Sequence, residues 1–412
     1  MEPIYPCCAG LDVHKETVVA CLRRIDPAGK ARKEVRTFGT MTRDLLALSD
    51  WMAAEGATHV AMESTGVYWK PIFNILEGRF QVLLVNAQHI KQVPGRKTDV
   101  KDCEWIAQRL QHGLLRGSFI PDRPLRDLRD LTRQRVQLLA ERTAVVNRIQ
   151  KVLEDANIKL ASVASDILGA SGRAMLQALI GGESDSERLA ELARRRLRGK
   201  IPQLRVALHR AVTEHHRFLL RLLMDQLRHL EDWIEQLGAR IEEVMAPLAE
   251  EVRRLTTIPG VEARAAQNIL AEIGPDMRQF PTAGHLASWA GVCPGNDQSA
   301  GKRRGGQATK GNQWLRQAVV QSAWAAARSK DTYLSAHYRR LAARRGKKRA
   351  ALALGHTLLV IIYHMLRDGA DYADLGPDYL DRLQSERLTR SLVRRLEGLG
   401  HRVVIERRQD AA

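Results

Sequence analysis

The chain has 412 residues, 44% apolar and 27% charged, with a formal net charge of +18; these globular proportions, at a length that accommodates two to three domains, exclude a wholly disordered chain. No apolar run reaches the roughly 18 residues of a membrane span, and the opening MEPIYPCCAGLDVHKE lacks the basic-then-apolar order of a secretory signal. Five cysteines without a paired C-x-x-C spacing argue against a disulfide scaffold or structural zinc, so the chain reads as reduced and cytoplasmic, with no membrane partner.

In chain order, Cys7–Val13 is a short apolar run, residues 17–22 are β-branched and apolar, and residues 34–38 alternate as a half-exposed strand does. A helix fits residues 42–55, with Leu45, Leu46, Leu48, Trp51 and Met52 on its inner side. Strand His59–Glu63, a helix over 67–76, strand Gln81–Val85 and a helix over 99–111 follow. Three strands, helix, strand, helix, strand, helix is the order of a ribonuclease-H-like α/β domain, assigned to residues 1–120. Residues 121–252 read as a helical, coiled-coil multimerisation region: apolar residues recur on two faces of 128–152 with arginines between them. Leu227, Leu230, Ile234, Leu237, Ile241, Val244 and Leu248 step by 3 and 4, a heptad seam. That seam serves either a coiled coil between chains or an antiparallel hairpin within one. The glycines at 169, 172, 181 and 182 predict turns and shorter helices. Residues 253–370 begin with LTTIPGVEARAAQNILAEIG, a helix-hairpin-helix pattern whose turn at Pro259 and Gly260 can offer backbone N–H groups to a phosphate. Further helices fit 313–327 and 350–366, and residues 371–412 read as a charge-balanced peripheral tail.

The positive charge is concentrated. Residues 281–350 hold 14 basic and 2 acidic side chains, +12 of the +18. A field so focused suits a polyanion, and nucleic acid fits better than a lipid surface because no basic amphipathic helix stands out. Lys302, Arg303, Arg304 and Lys310, in the glycine-rich GKRRGGQATKGN, are the candidate phosphate contacts.

Asp12 ends the first strand and Glu63 the fourth, neighbours in a ribonuclease-H-like sheet. Asp99 and Asp102 are three apart on a helix and share a face. Four carboxylates meeting at one edge repel unless cations lie between them. That arrangement suits two-metal phosphoryl transfer with Mg²⁺ or Mn²⁺. Each acid alone also fits an ordinary turn or helix-start role; His14 is a polar neighbour. Ser299, between Asp297 and Gly301 and just ahead of the cations, is either an exposed loop serine or a hydroxyl presented to phosphate.

GLDVHKE, AMESTGVYW, KTDVKDCEWIAQRL, IPGV, SWAGVCPGNDQSAGKRRGG and KGNQWLRQAVVQSAW together resemble the insertion-sequence family one-ten transposases, and are similar to the pilin-gene invertases. The resemblance spans about residues 8–368. It implies a RuvC-like N-terminal domain with a DEDD tetrad at Asp12, Glu63, Asp99 and Asp102, and a C-terminal transposase domain with a catalytic serine at Ser299. It implies a bacterial, nucleoid-associated recombinase that joins donor and target DNA through a serine–DNA link. A structured bridge RNA guides it, and it works as a homo-oligomer, dimer or tetramer, with the carboxylates assisting across a subunit boundary. The competing readings are a metal-dependent, junction-type nuclease using the carboxylates alone, and a non-catalytic nucleic-acid-binding scaffold.

Overall fold

A computed structural model of the chain describes residues 3–26, 29–64, 66–86, 102–209, 212–294, 298–299, 302–303, 311–383 and 385–405. Asp99, Arg304 and Lys310 lie outside them. The chain divides into two compact units, Met1–Ile120 and Pro121–Ala412.

The first unit is α/β. Its elements are β1 (Cys7–Val13), β2 (Thr17–Ile25), β3 (Ala31–Gly39), α1 (Thr42–Ala54), β4 (His59–Glu63), α2 (Trp69–Leu76), β5 (Gln81–Val85) and α3 (Asp102–Gln111). The sheet order is β3-β2-β1-β4-β5; β1, β2 and β3 are antiparallel, while β4 runs parallel to β1 and β5 parallel to β4. The central strands are covered on both faces, which is why CCAGLDV shows no alternation. Ala9, Leu11, Val13, Val60 and Met62 share a core with Leu45, Leu48, Met52, Ile72 and Leu76 of α1 and α2. Cys8, Ala61 and Val85 pack on Ile106 and Leu110 of α3. Two expectations need correcting. Leu46, placed on the inner side of α1, is 49% exposed. Strands β2 and β3 run further than their apolar stretches, because charged residues such as Arg24, Arg32 and Lys33 still pair in the ladder at the sheet edge.

The second unit is mostly helical. Helix α4 (Arg123–Asp155) starts at the Asp122 cap. After it come α5 (Leu160–Val163), α6 (Ala170–Ile180), α7 (Ser186–Glu191), a 3₁₀ turn (Arg195–Lys200), α8 (Ile201–Ala207) and α9 (Glu214–Val244). The heptad seam is occupied within the chain. Leu227, Leu230 and Ile234 share a core with Leu138, Val145, Ile149 and Leu153 of α4. The pairs Arg142–Glu231 and Asp155–His216 make this hairpin antiparallel. The seam stops short of its last member: α9 ends at Val244, and Leu248 closes the 3₁₀ turn Ala246–Leu248, where Pro247 breaks the helix.

The C-terminal part comprises α10 (Ala249–Thr256), α11 (Ala263–Ile273), α12 (Ala283–Trp289), the two-residue strands β6 (Gln298–Ser299) and β7 (Lys302–Arg303), α13 (Gln313–Ala326), α14 (Tyr333–Arg345), α15 (Lys347–Asp368), α16 (Tyr379–Leu383) and α17 (Ser385–Gly398). Helix α15 corrects the reading that no segment has membrane length: it is long and apolar enough to cross one. Half of its most apolar stretch is nevertheless buried in this unit, with Leu354, Leu358, Leu359 and Ile362 fully enclosed. The start of the tail is anchored. Asp371 accepts from Arg253 at 2.8 Å, and the Tyr372 N–H donates to Thr257 Oγ1 at 3.0 Å.

Candidate active site

Backbone pairing positions the acidic edge. Cys8 to Leu11 of β1 lie beside His59 to Met62 of β4 in parallel register, and Asp12 and Glu63 are the next residues on each strand. In a parallel ladder such neighbours project to the same face. Here that face is the one α3 covers, since Cys8 and Ala61, at the same parity, pack on it. Both acids are half-buried. His14 Nε2 lies 3.2 Å from Asp12 Oδ2, which confirms it as a polar neighbour.

Gly10 brings α3 down. A β-carbon there would sit 2.3 Å from Ala107 N and 2.5 Å from the Cys103 carbonyl oxygen, so only glycine lets the helix backbone rest on the strand. The N–H groups of Ile4 and Tyr5 donate to the Gln111 carbonyl, so the end of α3 lies near the beginning of β1 and the helix runs antiparallel to it. Its first residue, Asp102, therefore lies toward the end of β1 that carries Asp12. Among the described residues no three His, Cys, Asp or Glu side chains gather into a metal-holding group, and Asp99 lies outside them. The donor set fits a hard divalent cation, being carboxylate oxygen throughout.

Ser299 belongs to a two-strand ribbon, where it is paired with Lys302, and Gln298 is paired with Arg303. The segment that carries this ribbon enters and leaves at one point. A β-carbon on Gly311 would be 2.2 Å from Gly291 N, and the Asn312 N–H donates to the Trp289 carbonyl at 3.0 Å. Asn312 also caps α13, its Oδ1 accepting from the N–H groups of Trp314 and Leu315 at 3.0 Å.

Beneath that foot is a buried ion network that sequence reasoning missed. Glu272, on α11, is 2% exposed. Its carboxylate accepts two bonds from Arg133 of α4, at 2.7 and 2.8 Å, and one from Asn312 Nδ2 at 2.6 Å. Arg129 Nε lies 3.5 Å from the same carboxylate and donates to the Ala271 carbonyl at 3.0 Å. Burial pulls Arg129 down to about 10, with Glu272 opposing the shift, so it remains a cation. Arg135 is lowered to about 10 by the same burial, and it donates to Gln267 Oε1 at 2.7 Å. The available signal was the lone acid in the apolar run ILAEIG.

Beside the foot, a cavity of about 450 Å³ is lined by Val292, Pro294, His337, Arg345, Arg349 and His356. The left-handed Gly346 (φ +79°) turns α14 into α15 and gathers Arg344, Arg345, Lys347, Lys348 and Arg349 at one corner. Burial, with the nearby Arg340, holds His337 below its ordinary value. Pro259 and Gly260 do form the turn between α10 and α11, but Gly260 (φ +86°) is pressed onto α13, a β-carbon there falling 2.3 Å from Ala326 N. Packing thus already requires that glycine.

Comparison with known proteins places the chain among transposases. Residues 9–158 match a family described as a DEDD transposase of the IS110 type, and residues 252–339 match the transposase family IS116/IS110/IS902. An insertion element IS110 protein of Streptomyces coelicolor is 28% identical over 304 residues, covering 69% of this chain and 74% of that one. The transposase for insertion sequence element IS1111A of Coxiella burnetii is 26% identical over 290 residues, 69% and 70% of the two chains. A pilin gene-inverting protein of Moraxella bovis is 29% identical over 154 residues, 36% and 48%. An α/β unit followed by a helical unit, matched by transposase families at both ends, is a DNA-cleaving and joining enzyme, a transposase. The chain belongs to the IS110 family.

Proposed function

We propose that this transposase joins donor and target DNA through a covalent link between Ser299 and a DNA phosphate. Asp12, Glu63, Asp99 and Asp102 hold Mg²⁺ or Mn²⁺, and a structured bridge RNA directs the enzyme to its sites. The observation that carries the reading is the parallel register that sets Asp12 beside Glu63 on the face covered by α3, whose first residue is Asp102. The strand order β3-β2-β1-β4-β5 supports a ribonuclease-H-like, RuvC-like catalytic sheet.

When bound, such a cation stabilises charge building on the phosphate. The Ser299 oxygen attacks phosphorus and gives its proton to solvent, while the P–O bond to one sugar breaks and that oxygen takes up a proton to leave as a free hydroxyl. The serine phosphodiester conserves the bond energy, so a second sugar hydroxyl can displace the serine without an outside energy source. Lys302, Arg303, Arg304 and Lys310 neutralise neighbouring phosphates. A guide that reads sequence by base pairing leaves the protein to bind shape and backbone, in keeping with a chain rich in arginine. A homo-oligomer, dimer or tetramer, holds the two duplexes together.

The test is a denaturing gel of the protein with its flanking RNA, donor and target DNA and Mg²⁺. Wild type gives a protein–DNA adduct that is absent in Ser299→Ala and diminished in Asp12→Ala. Cleavage without an adduct, indifferent to Ser299→Ala, overturns the serine chemistry and leaves a metal-dependent structure-specific nuclease.

A further inference from the structure

The helical region between α5 and α8 contains a groove of about 800 Å³ that nothing above uses. Arg194, Arg195, Arg196 and Lys200 line it, with Ser171 opposite. Asp166 is the one acid among the described lining residues, and its Oδ1 is occupied by the Leu168 N–H at 2.9 Å. We propose that this groove is a second polyanion site, which holds the phosphodiester backbone of a nucleic acid away from the basic segment around Ser299.

Two observations carry the inference. The first is how the local acids are used. Around the groove, Arg188 pairs with Glu183 and Asp185, Arg198 with Glu191, and Arg205 with Glu187 and Glu191. Every nearby carboxylate on α7 and its entry thus serves one of these arginines. Arg194, Arg195 and Arg196 are exposed and have no ion pair among the described residues. Three adjacent uncompensated guanidiniums repel one another, an arrangement that an incoming anion relieves.

The second is backbone geometry. On a regular helix three consecutive side chains fan out over about 200° and cannot line one groove. Here Arg194 is extended (φ −121°, ψ 153°), and Arg195 adopts a left-handed conformation at φ +52° that residues other than glycine seldom take. This kink turns all three guanidinium-bearing residues to one rim. The Arg194 N–H donates to Ser171 Oγ at 2.9 Å, and Lys200 Nζ to the Val163 carbonyl at 3.0 Å, so the rim is tied to the opposite wall. That wall is tightly packed: a β-carbon on Gly172 would fall 2.1 Å from the Ile167 carbonyl oxygen. Guanidinium forks on a fixed rim match phosphate oxygens.

The inference rests on the nucleic-acid reading of the whole protein, and its test separates the two. The full chain is titrated against a labelled DNA duplex and an RNA duplex of the same sequence over a series of salt concentrations. Replacing Arg194, Arg195 and Arg196 together by alanine reduces the salt slope by about 2 to 3 on the probe that the groove holds, at about 0.9 per lost phosphate contact. Replacing all three by lysine retains most of the slope. A fall on RNA alone, on DNA alone or on both identifies the backbone held. Unchanged slopes with binding intact overturn the groove site and leave the proposed recombination chemistry standing. Wild type binding neither probe overturns both. Should the alanine variant fail to fold, phenylglyoxal modification of wild type decides: protection of residues 194–196 by a bound duplex supports the site, and equal modification with and without it refutes it.

Discussion

Asp12 and Glu63 owe their positions to backbone. Parallel ladder bonds set their spacing, and a glycine lets a helix settle over them. The foot of the Ser299 segment owes its position to side chains: a carboxylate 2% exposed draws Arg133 from α4 and Asn312 from the start of α13 onto α11. The placement of the first region is therefore sensitive to volume, and that of the second to charge. Substitutions that alter one property without the other can break or sharpen that contrast.

The largest effect is expected at the reacting edge. Asp12→Asn keeps volume and removes charge; if the edge holds cations, DNA cleavage falls on the order of 10³-fold while filter-binding affinity for DNA stays unchanged. Retained cleavage would detach the edge from the chemistry. Next comes Glu272→Ala, which leaves Arg129 and Arg133 without their buried counter-charge and costs about 3–5 kcal/mol in urea unfolding. Glu272→Gln, which keeps hydrogen-bonding capacity but not charge, falls between. A loss below 1 kcal/mol for the alanine variant would show that packing, not charge, holds the foot. Third, Gly10→Ala forces α3 off β1 for about 1–3 kcal/mol. Cleavage drops more than DNA binding, because Asp102 moves with the helix. Asn312→Ala costs about 1–3 kcal/mol, because it removes both the cap of α13 and the bond to the buried Glu272 carboxylate; in a thermal melt Asn312→Ser recovers only the cap's share.

Much of the sheet was legible. The bounds of β1, β4 and β5 follow from apolar runs closed by polar or charged residues such as His14, Glu63 and Asn86, since the interior of a strand buried on both faces is apolar. The acidic edge followed from those bounds, because the strand ends carry the acids. What was not legible has one physical origin: a local pattern does not reveal its partner. The arginines of α4 look like a solvated face, yet Arg129 and Arg135 are buried against α11. Gly10 looks like any strand glycine until a helix from some ninety residues later rests on it. The heptad seam read equally well for pairing within or between chains, and only the packing of α4 on α9 assigns these residues to an intrachain hairpin.

The shared foot of the Ser299 segment has a further consequence. Gly291 and Gly311 are in backbone contact, so the chain leaves the helical scaffold and rejoins it almost at a single point. The span between them can vary in length at little cost to that contact, because closure entropy grows only slowly with loop length. Lengthening it is therefore expected to leave the flanking helices α12 and α13 in place, provided that both glycines, Asn312 and Glu272 are kept.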